Sequence, residues 1–115
     1  MIRGGLVTLF VRDVGSAVRF YVETLGMKLV EEDGSRSVVI DAGEGFRIGL
    51  HETEAQPAAM EAAPSIGLTP KVPIREAIAI YENRGIAFDV KDDGPLTRAH
   101  FRDPDGNALY LFQHQ

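Results

Sequence analysis

Six side chains of this chain have the chemistry to hold or process a small molecule: Phe10, Arg47, His51, His100, Tyr110 and Phe112. An arginine pairs bidentately with a carboxylate or phosphate. A histidine donates, accepts or shuttles a proton near neutral pH. Phe10, Tyr110 and Phe112 offer faces on which a flat ligand can stack, and Tyr110 adds a hydroxyl. Other chemistries are missing. The chain has no cysteine, which excludes disulfides, thiolate zinc sites and cysteine nucleophiles and suits a reducing cytoplasm. There is no G-x-S-x-G elbow, and no Ser, His and Asp stand in a triad order with supporting context. Gly43-Glu44-Gly45 is too short to cradle a phosphate and reads as a hairpin turn, and His114 lies at a fraying end.

The elements that must position these residues follow from periodicity. Leu6 to Val11 alternates as a strand, and so does Ser65 to Lys71. A helix is predicted after each, over 14–24 and 74–84, stopped by Gly26 and Gly85 in the usual place for a left-handed terminator. Three strands then follow in each half. The first set spans 28–33, 37–42 and 46–51, and the second 88–91, 98–102 and 108–114, with Asp92-Asp93-Gly94-Pro95 as a loop. Gly26 to Gly85 and Val7 to Ile66 are both 59 positions apart, the mark of an internal repeat. The Ala, Glu and Pro rich run 53–64 separates the halves as a linker with room for one helical turn.

Strand phase divides the side chains between two faces. Val7, Leu9 and Val11, Phe46, Ile48 and Leu50, Ile66 and Leu68, and Leu109 and Leu111 form an almost wholly aliphatic set suited to packing under helices. The opposite set holds Leu6, Thr8 and Phe10, Arg47, Gly49 and His51, Ser65, Gly67 and Thr69, and Ala108, Tyr110, Phe112 and His114. Such a mixture suits a sheet face lining a small-molecule cavity. Size and charge narrow the partners. A chain of 115 residues is one domain's worth. Its apolar runs fall short of the ~20 residues needed to cross a bilayer, and Met1-Ile2-Arg3-Gly4-Gly5 carries no secretion signal. A net charge of −5 with scattered positive residues argues against nucleic-acid or anionic-membrane binding.

Two motifs carry a family resemblance. Near the start Phe20-Tyr21 precede Leu25-Gly26-Met27, and near the end stands Asp103-Pro104-Asp105-Gly106-Asn107. F-Y-x-x-x-L-G-M followed by D-P-D-G-N resembles the vicinal oxygen chelate superfamily, the group of glyoxalase I, extradiol dioxygenases, fosfomycin-modifying enzymes and bleomycin-binding proteins. The resemblance covers nearly all of the chain. It implies an α+β fold: two tandem βαβββ modules, 1–52 and 65–115, forming a curved mixed sheet with helices on the outer face, within a single domain and usually completed as a homodimer. Metal-dependent members place His or Glu on the first and fourth strands of each module. Those positions fall here on Leu6, Gly49, Gly67 and Tyr110, which do not make a metal site. No metal and no cofactor are therefore expected at the family position, and Gly49 and Gly67 are expected to leave room for a ligand.

Two functional classes follow. One is a metal-independent binder of a small organic molecule, like the bleomycin-binding members, using Phe10, Arg47, His51, His100, Tyr110 and Phe112. The other is an enzyme of the same superfamily, a lyase, isomerase or dioxygenase-like protein. Its acid-base groups would be His51 and His100, or these two would form a relocated metal site with Glu52 or Asp41.

Overall fold

Two stretches with the same order of elements build two four-stranded mixed sheets. The computed structural model describes residues 1–32, 34–54 and 64–114, so most of the linker read at 53–64 lies outside the described residues. The chain divides into two units, Met1–Ala59 and Met60–Gln115.

The first unit runs β1 (Val7–Val11), α1 (Val14–Val18), β2 (Lys28–Glu32), β3 (Ser37–Gly43) and β4 (Phe46–Glu52), with sheet order β1-β4-β3-β2. β1 pairs parallel to β4, and the two hairpin pairs are antiparallel. α1 continues directly as a π-helix over Arg19–Thr24, where regular α-helix was expected. The physical reason lies in the buried positions Ala17, Tyr21 and Leu25. They are spaced by four, and each such step in an α-helix drifts about 40° round the axis. The wider π turn, with the Leu25 N–H reaching the Phe20 carbonyl at 3.0 Å, holds that stripe against the sheet. Asp13 caps α1, its Oδ1 accepting from the Gly15 N–H at 3.1 Å and its Oδ2 from the Ser16 hydroxyl at 2.8 Å.

The second unit runs β5 (Ser65–Leu68), α2 (Ile74–Asn83), β6 (Asp89–Asp93), β7 (Leu96–Arg102) and β8 (Ala108–His114), with order β5-β8-β7-β6. β5 stops three residues short of expectation because Pro70 has no N–H for the ladder. The loop expected at 92–95 shrinks to Gly94-Pro95, and Asp93 pairs with Leu96. Side-chain ties across this hairpin hold two aspartates in a strand. The Thr97 hydroxyl donates to Asp92 at 2.7 Å, and Arg98 Nη2 donates to Asp93 at 2.6 Å. α2 ends at a left-handed Gly85 (φ 97°), with the Ile86 N–H bonded to the Tyr81 carbonyl at 3.1 Å and the Gly85 N–H to that of Glu82 at 3.0 Å.

In each unit the helix packs on the fourth strand, and most of the aliphatic phase is buried, although Val7 and Phe46, which belong to it, are exposed. Leu9, Val11, Val38, Ile40, Ile48 and Leu50 form the core of the first unit with Tyr21, whose ring is wholly buried. Ile66, Ala99, Phe101, Leu109 and Leu111 play that part in the second, with Ile74, Ala77 and Ile78 of α2. The D-P-D-G-N turn joins β7 to β8. The buried Asp103 accepts from the Asp105 N–H at 2.9 Å, the Asn107 N–H at 2.8 Å and the Asn107 side-chain amide at 2.9 Å.

Two predictions follow from these polar ties. Asp103→Ala strands three donors and is expected to cost about 2–3 kcal/mol in urea unfolding, with Asp103→Asn recovering part of it. The Ser16 hydroxyl, then the Gly15 N–H, holds Asp13 below the ordinary carboxylate value; the Thr97 hydroxyl, then Arg75, does the same for Asp92. A carboxyl depressed in the folded state stabilises fully above its unfolded value of about 3.9 and less as pH falls through its folded value. Asp13→Asn and Asp92→Asn are therefore expected to lower the melting temperature at neutral pH and to lower it less in acid below about pH 3. Equal effects at both pH values would count against these contacts.

Candidate functional site

The face of each sheet opposite its helix carries the residues singled out from the sequence, three in each unit. In the first unit, strand register sets Phe10 beside His51 and His51 beside Ser37. The Phe10 and His51 rings meet edge to face, 6.0 Å between centroids. On the other side Ser37 Oγ lies 2.5 Å from His51 Nδ1. A second row sets Arg47 beside Asp41 and Asp41 beside Lys28, so charge alternates across three strands. Asp41 Oδ1 is taken by the Gly43 N–H at 2.7 Å. Arg47 is exposed and has no ion-pair partner among the described residues.

In the second unit, one row crosses all four strands: Gly67, Tyr110, His100 and Asp89. The His100 and Tyr110 rings lie 5.3 Å apart and tilted by 32°, and Tyr110 and Phe112 5.8 Å apart at 45°. These three half-buried rings form a continuous aromatic surface. Phe112 stands opposite Arg98, whose Nη2 is held by Asp93 while its buried Nε has no hydrogen-bond partner among the described residues.

The room expected over the two glycines is not there. A Cβ on Gly67 would lie 2.6 Å from Tyr110 Cζ and 2.7 Å from its hydroxyl oxygen, so the Tyr110 ring lies directly over Gly67. A Cβ on Gly49 would lie 3.2 Å from Leu6 Cδ1 and 3.3 Å from Thr8 Oγ1. The space is filled by neighbours on the same face, because close packing draws the nearest side chains over a residue that has none. The four positions where the resemblance implies metal ligands thus present a leucine methyl, two covered glycines and a phenol. This donor set does not fit a divalent ion.

The relocated site expected from the sequence draws on His51 in the first unit, His100 in the second, and Glu52 or Asp41. Glu52 is committed elsewhere: its Oε2 accepts from the Val14 N–H at 3.1 Å and its Oε1 lies 3.6 Å from Arg36 Nε. Among the described residues no three His, Asp or Glu side chains gather as a metal-binding group.

The residue that sequence reasoning missed is Ser37. A hairpin counted outward from Gly43 opposite Phe46 would set Ser37 opposite Glu52. A bulge between Asp41 and Gly43 moves the register by one and sets it opposite His51. The residue types around the turn carry no signal for that shift.

A family model described as the Glyoxalase/Bleomycin resistance protein/Dioxygenase superfamily matches residues 5–111. The chain belongs to this superfamily. Among its relatives is the virulence protein STM3117 of Salmonella typhimurium, 26% identical over 120 residues that cover 94% of this chain and 81% of that protein. Among solved structures, TnmS3, an antibiotic binding protein from Streptomyces sp. CB03234, is 25% identical with a TM-score of 0.77, covering 100% of this chain and 99% of that one. A superfamily member from Sphaerobacter thermophilus is 25% identical with a TM-score of 0.78, covering 97% of each chain. The superfamily's α+β architecture is the one seen here, two four-stranded mixed sheets with few helices. No helix is long and apolar enough to cross a membrane among the described residues.

The packing of Tyr110 on Gly67 is testable without a ligand. Gly67→Ala must displace the ring and is expected to cost about 1–3 kcal/mol. In a Tyr110→Ala background the same change is expected to cost little, and a double-mutant cycle in urea measures the difference. Equal costs in the two backgrounds would show that the ring does not occupy this place.

Proposed function

We propose that this chain is a binding protein for a small, flat organic molecule, working without a metal ion at the superfamily's ligand positions. The observation that carries the reading is the Tyr110 ring lying over Gly67 between His100 and Phe112. Where metal-dependent members set donors, this face sets an aromatic surface. Stacking against such a surface is tolerant of ligand identity and worth ~1–3 kcal/mol per ring. The open face of the first sheet carries Phe10, His51 and the guanidinium of Arg47, which can take a carboxylate or phosphate group. The antibiotic-binding relative supports the same class of ligand.

The proposal includes a homodimer in the cytoplasm. β1 is an edge strand, and Leu6, Val7 and Phe10 are exposed on it and beside it. A second copy of the chain can cover that apolar edge. Light scattering in the micromolar range is expected to give twice the chain mass, and a monomer would count against this part of the reading.

A thermal-shift screen of aromatic antibiotics and metabolites is expected to yield a stabilising ligand. Calorimetry should then find it bound about tenfold more weakly by Tyr110→Ala, a difference of ~1.4 kcal/mol. Arg47→Ala is expected to weaken only ligands that carry an anionic group. A ligand that binds wild type and Tyr110→Ala equally would refute the assignment of this face.

A further inference from the structure

The first unit also holds a side-chain pair whose geometry suits chemistry beyond small-molecule binding. Ser37 Oγ and His51 Nδ1 lie 2.5 Å apart, a short contact between cross-strand neighbours on the open face. His51 lines an open depression of about 410 Å³ together with Arg36, Glu52, Thr53 and Glu54. We propose that Ser37 and His51 are a nucleophile and its general base, and that this depression accepts small neutral or cationic activated acyl esters.

A hydroxyl is a weak nucleophile until a base within hydrogen-bond reach takes its proton. In the tautomer with its proton on Nε2, His51 presents Nδ1 as the acceptor that this role needs. The base is oriented from its far side by the edge-to-face contact with Phe10. Neither partner is buried, so an ester can reach the hydroxyl without any movement of the core. Among the described lining residues Arg36 is the one cation. It is held loosely, its Nη2 3.5 Å from the Glu52 carbonyl and its Nε 3.6 Å from the Glu52 carboxylate, which leaves donors for a developing oxyanion. Among the described lining residues two carboxylates against one guanidinium make the charge net negative, which disfavours anionic acyl donors.

The chemistry balances within these groups. Ser37 Oγ attacks the carbonyl carbon while its proton passes to His51 Nδ1. The bond to the leaving oxygen breaks, and the alcohol departs with the proton from the imidazole. Water attacks the acyl-serine with His51 again as base, releases the carboxylic acid and restores the hydroxyl. The pair lies wholly in the first unit and does not rest on the ligand-binding reading. Loss of ligand binding in Tyr110→Ala would leave it standing.

The test uses the purified full chain with p-nitrophenyl acetate, and the half-ester of p-nitrophenol with succinate as the anionic comparison. Expected are p-nitrophenolate release, acetyl transfer to Ser37 seen by peptide mass mapping, and slower reaction with the succinate ester. Ser37→Ala is expected to abolish the label and His51→Gln to slow it by at least about tenfold. Because the chain has no cysteine, Ser37→Cys supplies a single thiol whose alkylation rate by iodoacetamide reports the base directly. That rate should fall when His51→Gln is added. Acetylation confined to lysines, a label on Ser37 indifferent to His51→Gln, or a thiol whose reactivity ignores that change would each overturn the proposal.

Discussion

Each unit depends on a hydrogen bond from the end of its fourth strand to the start of its helix. Glu52 Oε2 accepts the Val14 N–H at 3.1 Å, and Gln113 Oε1 accepts the Ile74 N–H at 2.8 Å. The first N–H groups of a helix have no partner within it. α2 needs the tie more, since its cap residue is Pro73, which has no side-chain acceptor. The same bond sets the geometry of the crossover, because the first strand lies parallel to the fourth and the helix between them must return over the sheet. The two units solve one problem with different chemistry. Glu52 brings a charge, suited to a helix N-terminus and placed near Arg36. Gln113 brings a neutral amide whose Nε2 also donates to the Val72 carbonyl at 3.2 Å.

With the helix pinned on one face, the other face of each sheet is released from core duty, and there the units diverge. The first collects charge, a histidine and a serine. The second collects rings. At the positions where the resemblance implies metal donors, side chains pack on glycines instead: Leu6 against Gly49 and Tyr110 over Gly67. Tyr110 and Gly67 are one feature in this respect. The ring can lie flat on β5 only because the facing residue has no side chain, and in that position it extends the surface formed with His100 and Phe112.

The architecture was legible in the sequence to within a few residues, because it rests on local signals. Period-two alternation marked the strands, and Gly26 and Gly85 marked both helix ends. Errors fell where a local signal met a competing contact. Aspartates 92 and 93 read as loop but are held in β6 by Thr97 and Arg98. The helix over 14–24 widens to a π turn after Val18 to keep Tyr21 and Leu25 buried.

By itself the sequence determined the two repeated modules, the aliphatic and mixed faces, and the absence of donors at Leu6, Gly49 and Gly67. Alternation, glycine stops and residue type are properties of single positions and short runs. Tertiary structure alone decided that Tyr110 covers Gly67 and that Ser37 meets His51. The first depends on a ring crossing from β8 onto β5, far apart in the chain. The second depends on a one-residue bulge between Asp41 and Gly43, and a shift of one residue changes every partner along a strand while leaving its composition untouched.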